Sequence, residues 1–227
     1  RSRNRRGSSC GDGVESGVTS GVKHYASFDG KIVHHPIVAF GKLDGNNIRC
    51  EYNRKLGLHK FGSRKVLLGE DHPVMGRAPG MILDKYGDSL GRIFRDERLF
   101  DVTCYFEFWG EKSFAGQHDL TDPTLTVTLL DIDIYKKGIP LARDFIKMFA
   151  DKVDIPPVLH TGNPNEDFLN MVRTGTLEGM PFEGVVCRGA PLKRGYQPHY
   201  FKVKNHAWVE RVKSLYGNDP KALADLL

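Results

Sequence analysis

The chain has 227 residues, of which 40% are hydrophobic and 27% charged, and its formal net charge is +5. This length and composition are ordinary for a globular protein with one well-buried core. No apolar run reaches the roughly 18–20 residues that a membrane helix requires, and no signal-peptide core is present. We therefore expect a cytoplasmic protein that has no membrane contact.

The first 22 residues differ in composition from the rest. They are rich in arginine, glycine and serine, with four arginines against two carboxylates. We predict a disordered tail over residues 1–22 and one domain over residues 23–227. The remainder is only mildly basic, which favours a polyanion-binding groove on a mixed surface. The four cysteines form no C-x-x-C pair, so a zinc site is not expected.

The predicted elements are mainly strands separated by glycine turns. The predicted strands are Ile37–Phe40, Ile48–Tyr52, Val102–Trp109, Thr124–Tyr135, Gly184–Arg188 and Tyr200–Val203. The predicted helices are Leu141–Ala150, Asn165–Thr174, Ala207–Tyr216 and a short helical end at Pro220–Leu227. The polar segment Asp84–Arg98 is ambiguous. Because strands dominate without a regular βα alternation, the sequence predicts an α+β fold with antiparallel sheets.

The first chemical motif is Lys42-Leu43-Asp44-Gly45, at the end of the first predicted strand. A neutral lysine can attack a phosphoryl group, and a nearby carboxylate can position that lysine. Glycine lets the backbone turn tightly beside a substrate. The pattern indicates a covalent lysine–nucleotide bond, although an ordinary surface turn can contain the same residues.

Two more positions follow in chain order. Arg64, after a glycine-rich turn, offers a planar set of donors for ribose oxygens or phosphates, and a solvated basic loop is the alternative. Glu107 lies between Phe106 and Phe108, and strand alternation puts the acid in a cleft with the aromatic rings in the core. A strand with one face in solvent is the alternative for Glu107.

The predicted strand at Thr124–Tyr135 contains Asp131 and Asp133, which share a strand face because they are two residues apart. For these two carboxylates we favour an exposed strand face over a cation site.

The last two motifs are Glu183-Gly184 and Lys202-Val203-Lys204. Lys202 and Lys204 project from one face of a strand, and an anion such as a nucleotide α-phosphate would relieve their repulsion. Lysines on an exposed edge strand, which deter aggregation, are the alternative.

Taken in order, these five motifs resemble those of the covalent nucleotidyltransferase superfamily, and most closely those of ATP-dependent RNA ligases of the phage T4 RNA ligase 2 type. The resemblance covers about residues 37–205. It implies a nucleotidyltransferase (ATP-grasp-like) fold, with antiparallel sheets flanking a nucleotide cleft. It also implies ATP and Mg²⁺ (or Mn²⁺) as cofactors, and RNA ends with a 5′-phosphate and a 3′-hydroxyl as partners. No protein partner is implied.

The resemblance assigns roles residue by residue. Lys42 would attack the α-phosphorus of ATP, with positive charge from Lys202, Lys204 and bound Mg²⁺ favouring its neutral form. Arg64 and Glu107 would hold the ribose. Asp44 and Glu183 would orient the lysine and a hydrated metal. An aromatic residue usually stacks on the adenine in this family, and the positions here are Leu130 or Ile132, depending on register.

Three alternatives stay open. Only residues 205–227 follow the last motif, too few for the OB-fold barrel that DNA ligases and capping guanylyltransferases carry there. A compact RNA ligase, or a truncated piece of something larger, is therefore favoured, and a fragment of a DNA ligase or capping guanylyltransferase is the first alternative. A non-catalytic nucleotide- or nucleic-acid-binding module and a chance match in an unrelated β-rich protein are the other two.

Overall fold

A computed structural model describes residues 26–27, 35–63, 66–191 and 198–227, and for residues 26–27 it describes the backbone alone. Within these ranges the strands are β1 (Ala26–Ser27), β2 (Ile37–Gly41), β3 (Gly45–Asn53), β4 (Gly57–Gly62), β5 (Asp101–Trp109), β6 (Thr126–Ile134), β7 (Val158–Gly162), β8 (Gly184–Gly189) and β9 (His199–Lys204). The helices are α1 (Ala78–Asp96), α2 (Ala142–Phe149), α3 (Glu166–Thr174), α4 (His206–Tyr216) and α5 (Pro220–Leu226). The predicted tail over residues 1–22 lies outside the described residues.

These strands form two sheets. Sheet A has the strand order β1-β9-β8-β2-β7, and sheet B has the order β4-β3-β5-β6. The pairings are antiparallel except that of β1 with β9, which is parallel. The predicted α+β fold with antiparallel sheets is therefore confirmed.

Sheet B buries one face against α1. Tyr86 of this helix stacks on Phe106 of β5 with 5.6 Å between ring centroids, and its hydroxyl donates to the carbonyl of Val127 over 2.7 Å. Alternation along β5 then turns Glu107 to the opposite face. The buried residues of this core include Ile48, Cys50, Ile82, Leu90, Phe94, Cys104, Phe108, Leu129 and Ile132.

Sheet A buries one face against α3 and turns the other towards sheet B. The buried face carries Ile37, Ala39, Val185, Cys187, Phe201 and Val203, which pack against Phe168, Leu169 and Val172. The alternate residues of β8 and β9, among them Val186, Arg188, Lys202 and Lys204, therefore face the space between the sheets.

The chain leaves β9 and enters α4 without a loop. The side chain of Asn205 accepts a hydrogen bond from the backbone N–H of Ala207 over 3.0 Å and caps the helix. Trp208 and Val212 of α4 are buried in a third cluster with Leu223 and Leu226 of α5. This arrangement holds α4 and α5 beside the last lysine of β9.

Four elements differ from the sequence predictions, and one of them is the two-residue strand β1, which was not predicted. The segment left ambiguous belongs largely to α1, whose buried residues recur at about every fourth position as Ile82, Tyr86, Leu90 and Phe94. Strands β4 and β7 were not predicted, because each lies at a sheet edge and carries polar side chains. Among the described helices, none has the length and apolar character to cross a membrane.

Candidate active site

The two sheets enclose a cleft with a volume of about 430 Å³. Seven of the nine site residues that the sequence predicts line it: Lys42, Asp44, Glu107, Leu130, Glu183, Lys202 and Lys204. Arg64 lies outside the described residues, although its neighbour Ser63 lines the cleft. The apolar part of the lining comes from Phe40, Met75, Pro156 and Val186.

The amine of Lys42 is held by Glu183. Lys42 follows β2, and its backbone N–H donates to the carbonyl of Gly184 over 2.9 Å, which fixes the two motifs against each other. Its Nζ lies 2.7 Å from Oε2 of Glu183, and the two side chains are 22% and 6% exposed. Lys204 Nζ lies 3.4 Å from Oε1 of the same carboxylate. One glutamate therefore sits between two amines.

The charge state of Lys42 differs from the expectation. Burial acts to lower the pKa of Lys42, but the negative charges of Glu183, Glu107 and Asp44 outweigh it, so the pKa is raised above its usual range. The expected lowering by Lys202 and Lys204 does not occur, since the carboxylates are the stronger neighbours. In this state Lys42 carries a proton and is not a nucleophile.

Lys204 has the opposite shift. Burial, together with the positive charges of Lys42 and Lys202, lowers its pKa to about 8 against the pull of Glu183. Its Nζ also lies 4.2 Å from the ring centroid of Trp208, and it donates to the carbonyl of Leu226. A buried ammonium group whose charge is only weakly screened by solvent is well suited to bind a phosphate.

Trp208 is a site residue that the sequence analysis missed. Its indole Nε1–H donates to Oδ2 of Asp44 over 2.6 Å, while its ring lies beneath Lys204. Burial and Glu183 raise the pKa of Asp44, and the hydrogen bond from Trp208 opposes that rise. The signal in the sequence was an aromatic residue four positions after Lys204 on the buried face of a predicted helix.

Glu107 is buried in the cleft wall with 8% of its surface exposed. Burial raises its pKa to about 8, and the nearby Glu183 and Asp44 act in the same direction, against the attraction of Lys42 and a hydrogen bond from the backbone N–H of Gly45. At neutral pH Glu107 is therefore largely protonated in this state and can both donate and accept a hydrogen bond.

The role of Gly45 differs from the expected tight turn beside a substrate, and Gly184 of the second motif has the same role. A Cβ at Gly45 would lie 2.1 Å from the carbonyl oxygen of Phe108, and a Cβ at Gly184 would lie 2.2 Å from that of Val203. Gly184 also has φ of +133°, a backbone conformation that L side chains rarely adopt. Both glycines allow neighbouring strands to approach, so that the preceding carboxylates enter the cleft.

The structure corrects the expectations for the β6 residues. The pairing of β5 with β6 shifts between Tyr105 and Phe106, which leaves Leu130 as the extra residue of a β-bulge. Leu130 lines the cleft, whereas Ile132 is fully buried in the core of sheet B and does not. Ile132 is therefore not placed to contact a nucleotide base.

Asp131 was expected on an exposed strand face, and this is wrong. Its Oδ1 lies 3.2 Å from Nη2 of Arg188, with the two side chains 1% and 3% exposed. Its Oδ2 accepts from the hydroxyl of Tyr200 over 3.1 Å. The carboxylate joins sheet B to sheet A, a contact between positions 57 residues apart that no local pattern reveals.

The carboxylates of the cleft suit a divalent cation that arrives with a nucleotide. Within the described residues, no group of three or more His, Cys, Asp or Glu side chains is arranged to hold a metal ion. Asp44 and Glu183 nevertheless supply the hard oxygen donors that Mg²⁺ prefers. Mg²⁺ is usually held by one or two carboxylates, with waters and substrate phosphates completing its coordination.

Comparison with known proteins identifies the fold. Neither a family model nor a curated protein matches the chain. Among solved structures, an archaeal ATP-dependent RNA ligase superposes with a TM-score of 0.63 at 13% identity, over 88% of this chain and 52% of that one. A putative ATP-dependent DNA ligase from Aquifex aeolicus gives a TM-score of 0.56 at 15% identity, over 90% and 56%.

A third structure, a mutant Naegleria gruberi RNA ligase with ATP and Mn, gives a TM-score of 0.53 at 16% identity, over 78% and 52%. The chain thus spans about half the length of the structures it matches. At these identities the likeness shows the fold alone. The chain has the nucleotidyltransferase fold of ATP-dependent RNA and DNA ligases.

Proposed function

We propose that the chain is the adenylyltransferase domain of an ATP-dependent RNA ligase that seals 5′-phosphate and 3′-hydroxyl ends. The observation that carries this proposal is the lysine amine of the first motif, held 2.7 Å from Glu183 in a cleft that Lys202 and Lys204 also line. The fold shared with ATP-dependent RNA ligases supports it.

The reaction has three group transfers. Lys42 Nζ bonds to the α-phosphorus of ATP, the bond to the β-phosphate oxygen breaks, and pyrophosphate leaves. A 5′-phosphate oxygen of RNA then attacks the same phosphorus, the P–N bond breaks, and the lysine amine takes up a proton. Finally a 3′-hydroxyl attacks the 5′-phosphate, loses its proton, and displaces AMP to close the strand.

The first step requires Lys42 to give up the proton it holds in this state. Oε2 of Glu183 already lies at hydrogen-bonding distance of the amine, so it would keep Nζ in position while the proton passes to solvent. Lys204, still protonated at neutral pH, stabilises the negative charge that develops on the phosphoryl oxygens. Asp44 and Glu183 would hold Mg²⁺ or Mn²⁺, which would offset the carboxylate charges that keep Lys42 protonated and polarise the phosphate.

We infer that the nucleoside lies along β8. Val186 pairs with Phe40, and both side chains line the cleft together with Leu130. These three apolar side chains offer a surface on which the base would pack. Glu107 and Arg64 hold the ribose, by the resemblance noted above.

Covalent labelling tests the proposal. The protein is incubated with α-labelled ATP and Mg²⁺ or Mn²⁺, and the label on the denatured protein is measured. We expect one adduct on the wild type, none on Lys42→Ala, and a normal amount on Lys60→Ala, which removes an exposed lysine paired with Glu51. Label that persists on Lys42→Ala would place the nucleophile elsewhere, and absence of an adduct on the wild type would favour a non-catalytic module.

A DNA ligase is the second candidate, favoured by the match to the Aquifex aeolicus structure. Sealing of nicked RNA and nicked DNA, compared side by side, separates the two functions. Replacing ATP by GTP in the labelling assay separates both from a capping guanylyltransferase.

A further inference from the structure

An aromatic side chain is exposed next to the proposed nucleophile. Phe182 immediately precedes Glu183 and is 46% exposed. Its ring lies 6.5 Å from that of Phe114, which immediately precedes Ala115, whose N–H bonds to Asp44. Each ring is therefore one residue away from a group that contacts the Lys42 site. Because Phe182 lies beside the Lys42 site and in contact with a second ring, its exposed face is a candidate contact for a substrate.

The same rings continue into the cleft. Phe114 lies 5.9 Å from Trp208, and Trp208 lies beneath Lys204. A continuous path of ring contacts thus leads from the phosphate-binding lysine to the exposed ring of Phe182.

A positively charged side chain lies against one of these rings. The guanidinium carbon of Arg211, an exposed residue of α4, lies 4.2 Å from the ring centroid of Phe114. Aromatic rings and arginine planes are the groups on which proteins stack unpaired RNA bases, and arginine also binds phosphate. An apolar peptide would use the rings but would gain nothing from the charge of Arg211, so nucleic acid fits this surface better.

We propose that Phe182, Phe114 and Arg211 bind the RNA strand that carries the 5′-phosphate, with its terminal base stacked on Phe182 and its backbone near Arg211. This inference rests on the proposed function, and it names the surface that presents the substrate for the second step. In that step the 5′-phosphate oxygen takes AMP from Lys42 as described above.

Single-turnover transfer tests this surface. Protein already carrying AMP is freed of ATP and mixed with rising concentrations of a 5′-phosphorylated single-stranded RNA, and the rate of AMP transfer is followed. We expect Phe182→Ala to raise the half-saturating RNA concentration about tenfold, or about 1.4 kcal/mol. Phe182→Trp should restore it, because a larger ring stacks at least as well.

The chain offers a matched control. Phe100 is 57% exposed and has the guanidinium of Arg54 5.0 Å from its ring centroid. It lies just before β5, roughly 20 Å from Glu107 at about 3.3 Å per residue. Phe100→Ala should leave the RNA dependence of transfer unchanged.

The inference would be overturned if Phe182→Ala reached half-saturation at the same RNA concentration as the wild type. It would also be overturned if Phe100→Ala raised the half-saturating RNA concentration as much as Phe182→Ala does. If the wild type forms no adduct, the proposed function fails, and anisotropy of a fluorescent 5′-phosphorylated RNA still tests the surface. In that assay, about tenfold weaker binding by Phe182→Ala supports it, and unchanged binding overturns it. If Phe182→Ala does not fold, Arg211→Ala is measured in the same assays with the same two readings.

Discussion

Two ion pairs near the cleft differ in their burial and in their neighbours. Arg188 and Asp131 are 3% and 1% exposed, and the guanidinium carbon lies within 5.5 Å of the ring centroids of Phe40, Phe145 and Tyr200. Lys42 and Glu183 are 22% and 6% exposed, and Lys204 shares the carboxylate. The first pair joins the sheets, whereas the second lies where a substrate can reach it.

The two pairs show that an ion pair that joins the sheets and an ion pair that can titrate use different cations. An arginine does not lose its proton in a protein, so the Arg188 pair is permanent once it is buried. A lysine can lose its proton, and the three carboxylates around Lys42 set the pKa that must be overcome. The fold therefore has the cation that does not titrate between the sheets and the titratable cation on the accessible part of the cleft wall.

The largest effect is expected when the buried Arg188–Asp131 ion pair is broken. Arg188→Ala removes the guanidinium that balances the charge of the buried Asp131, so we expect a loss of about 3–5 kcal/mol in the free energy of unfolding. Urea unfolding measures this loss. Lys42→Ala is the comparison, and it should cost far less because Glu183 keeps Lys204. Equal losses in the free energy of unfolding of the two variants would show that the two ion pairs contribute equally to stability.

The next effect concerns Glu107. Its pKa is raised by burial from about 4.5 to about 8, so the folded state keeps a proton that the unfolded state releases. The wild type therefore loses stability as the pH rises from about 4.5 to about 8. Glu107→Gln removes this loss, and we expect a gain of roughly 2–4 kcal/mol in the free energy of unfolding at pH 8.

Chemical denaturation at pH 4.5 and pH 8 checks this prediction, since the gain should vanish at the lower pH. A gain of equal size at both pH values would show that packing, and not titration, separates Glu107→Gln from the wild type.

A smaller effect separates the two contacts of Trp208. Trp208→Phe keeps a ring beneath Lys204 but loses the hydrogen bond to Asp44, so we expect the rate of lysine adenylylation to fall about tenfold, for about 1.5 kcal/mol. Trp208→Ala loses both contacts and should be slower still. Initial rates of adduct formation at saturating ATP measure both, and equal rates for the two variants would mean that the hydrogen bond has no separate role.

The smallest effect is expected for a substitution that adds an aromatic side chain to the cleft wall. Leu130→Phe places an aromatic ring on the cleft wall, and we expect ATP to bind two- to fivefold more tightly, for roughly 0.5–1 kcal/mol of ring stacking. Ile132→Phe is the control, because overpacking the core should destabilise the fold by about 1–3 kcal/mol without tightening ATP binding. Calorimetric titration of the Lys42→Ala form of each variant measures binding without turnover. Unchanged affinity in Leu130→Phe would place the base elsewhere.

Much of the fold could be predicted because its central strands alternate cleanly. In β5 the order of Phe106, Glu107 and Phe108 is enough to separate core from cleft. The sequence was ambiguous for α1, where glycines and many charges hide a four-residue repeat of buried side chains. The β-bulge at Leu130 could not be predicted, because a local change of register depends on the partner strand.

The site divides in the same way. The residues Lys42, Asp44, Glu107, Glu183, Lys202 and Lys204 line one cleft, and their grouping could be predicted because each lies next to, or within, a strand with a recognisable pattern. Trp208 and Arg188 were missed because their partners, Asp44 and Asp131, are distant in the sequence. A hydrogen bond or ion pair of that range has no signature in composition or spacing.

The close strand contacts at Gly45 and Gly184 have a consequence for how such motifs are used. Both positions exclude a Cβ because a neighbouring carbonyl occupies the space, whether or not a nucleotide ever binds. A protein that kept these sheets would therefore need glycine at both positions, even without the proposed chemistry. Under the proposed function, Lys42, Lys202 and Lys204 are the residues that a search for active relatives should require.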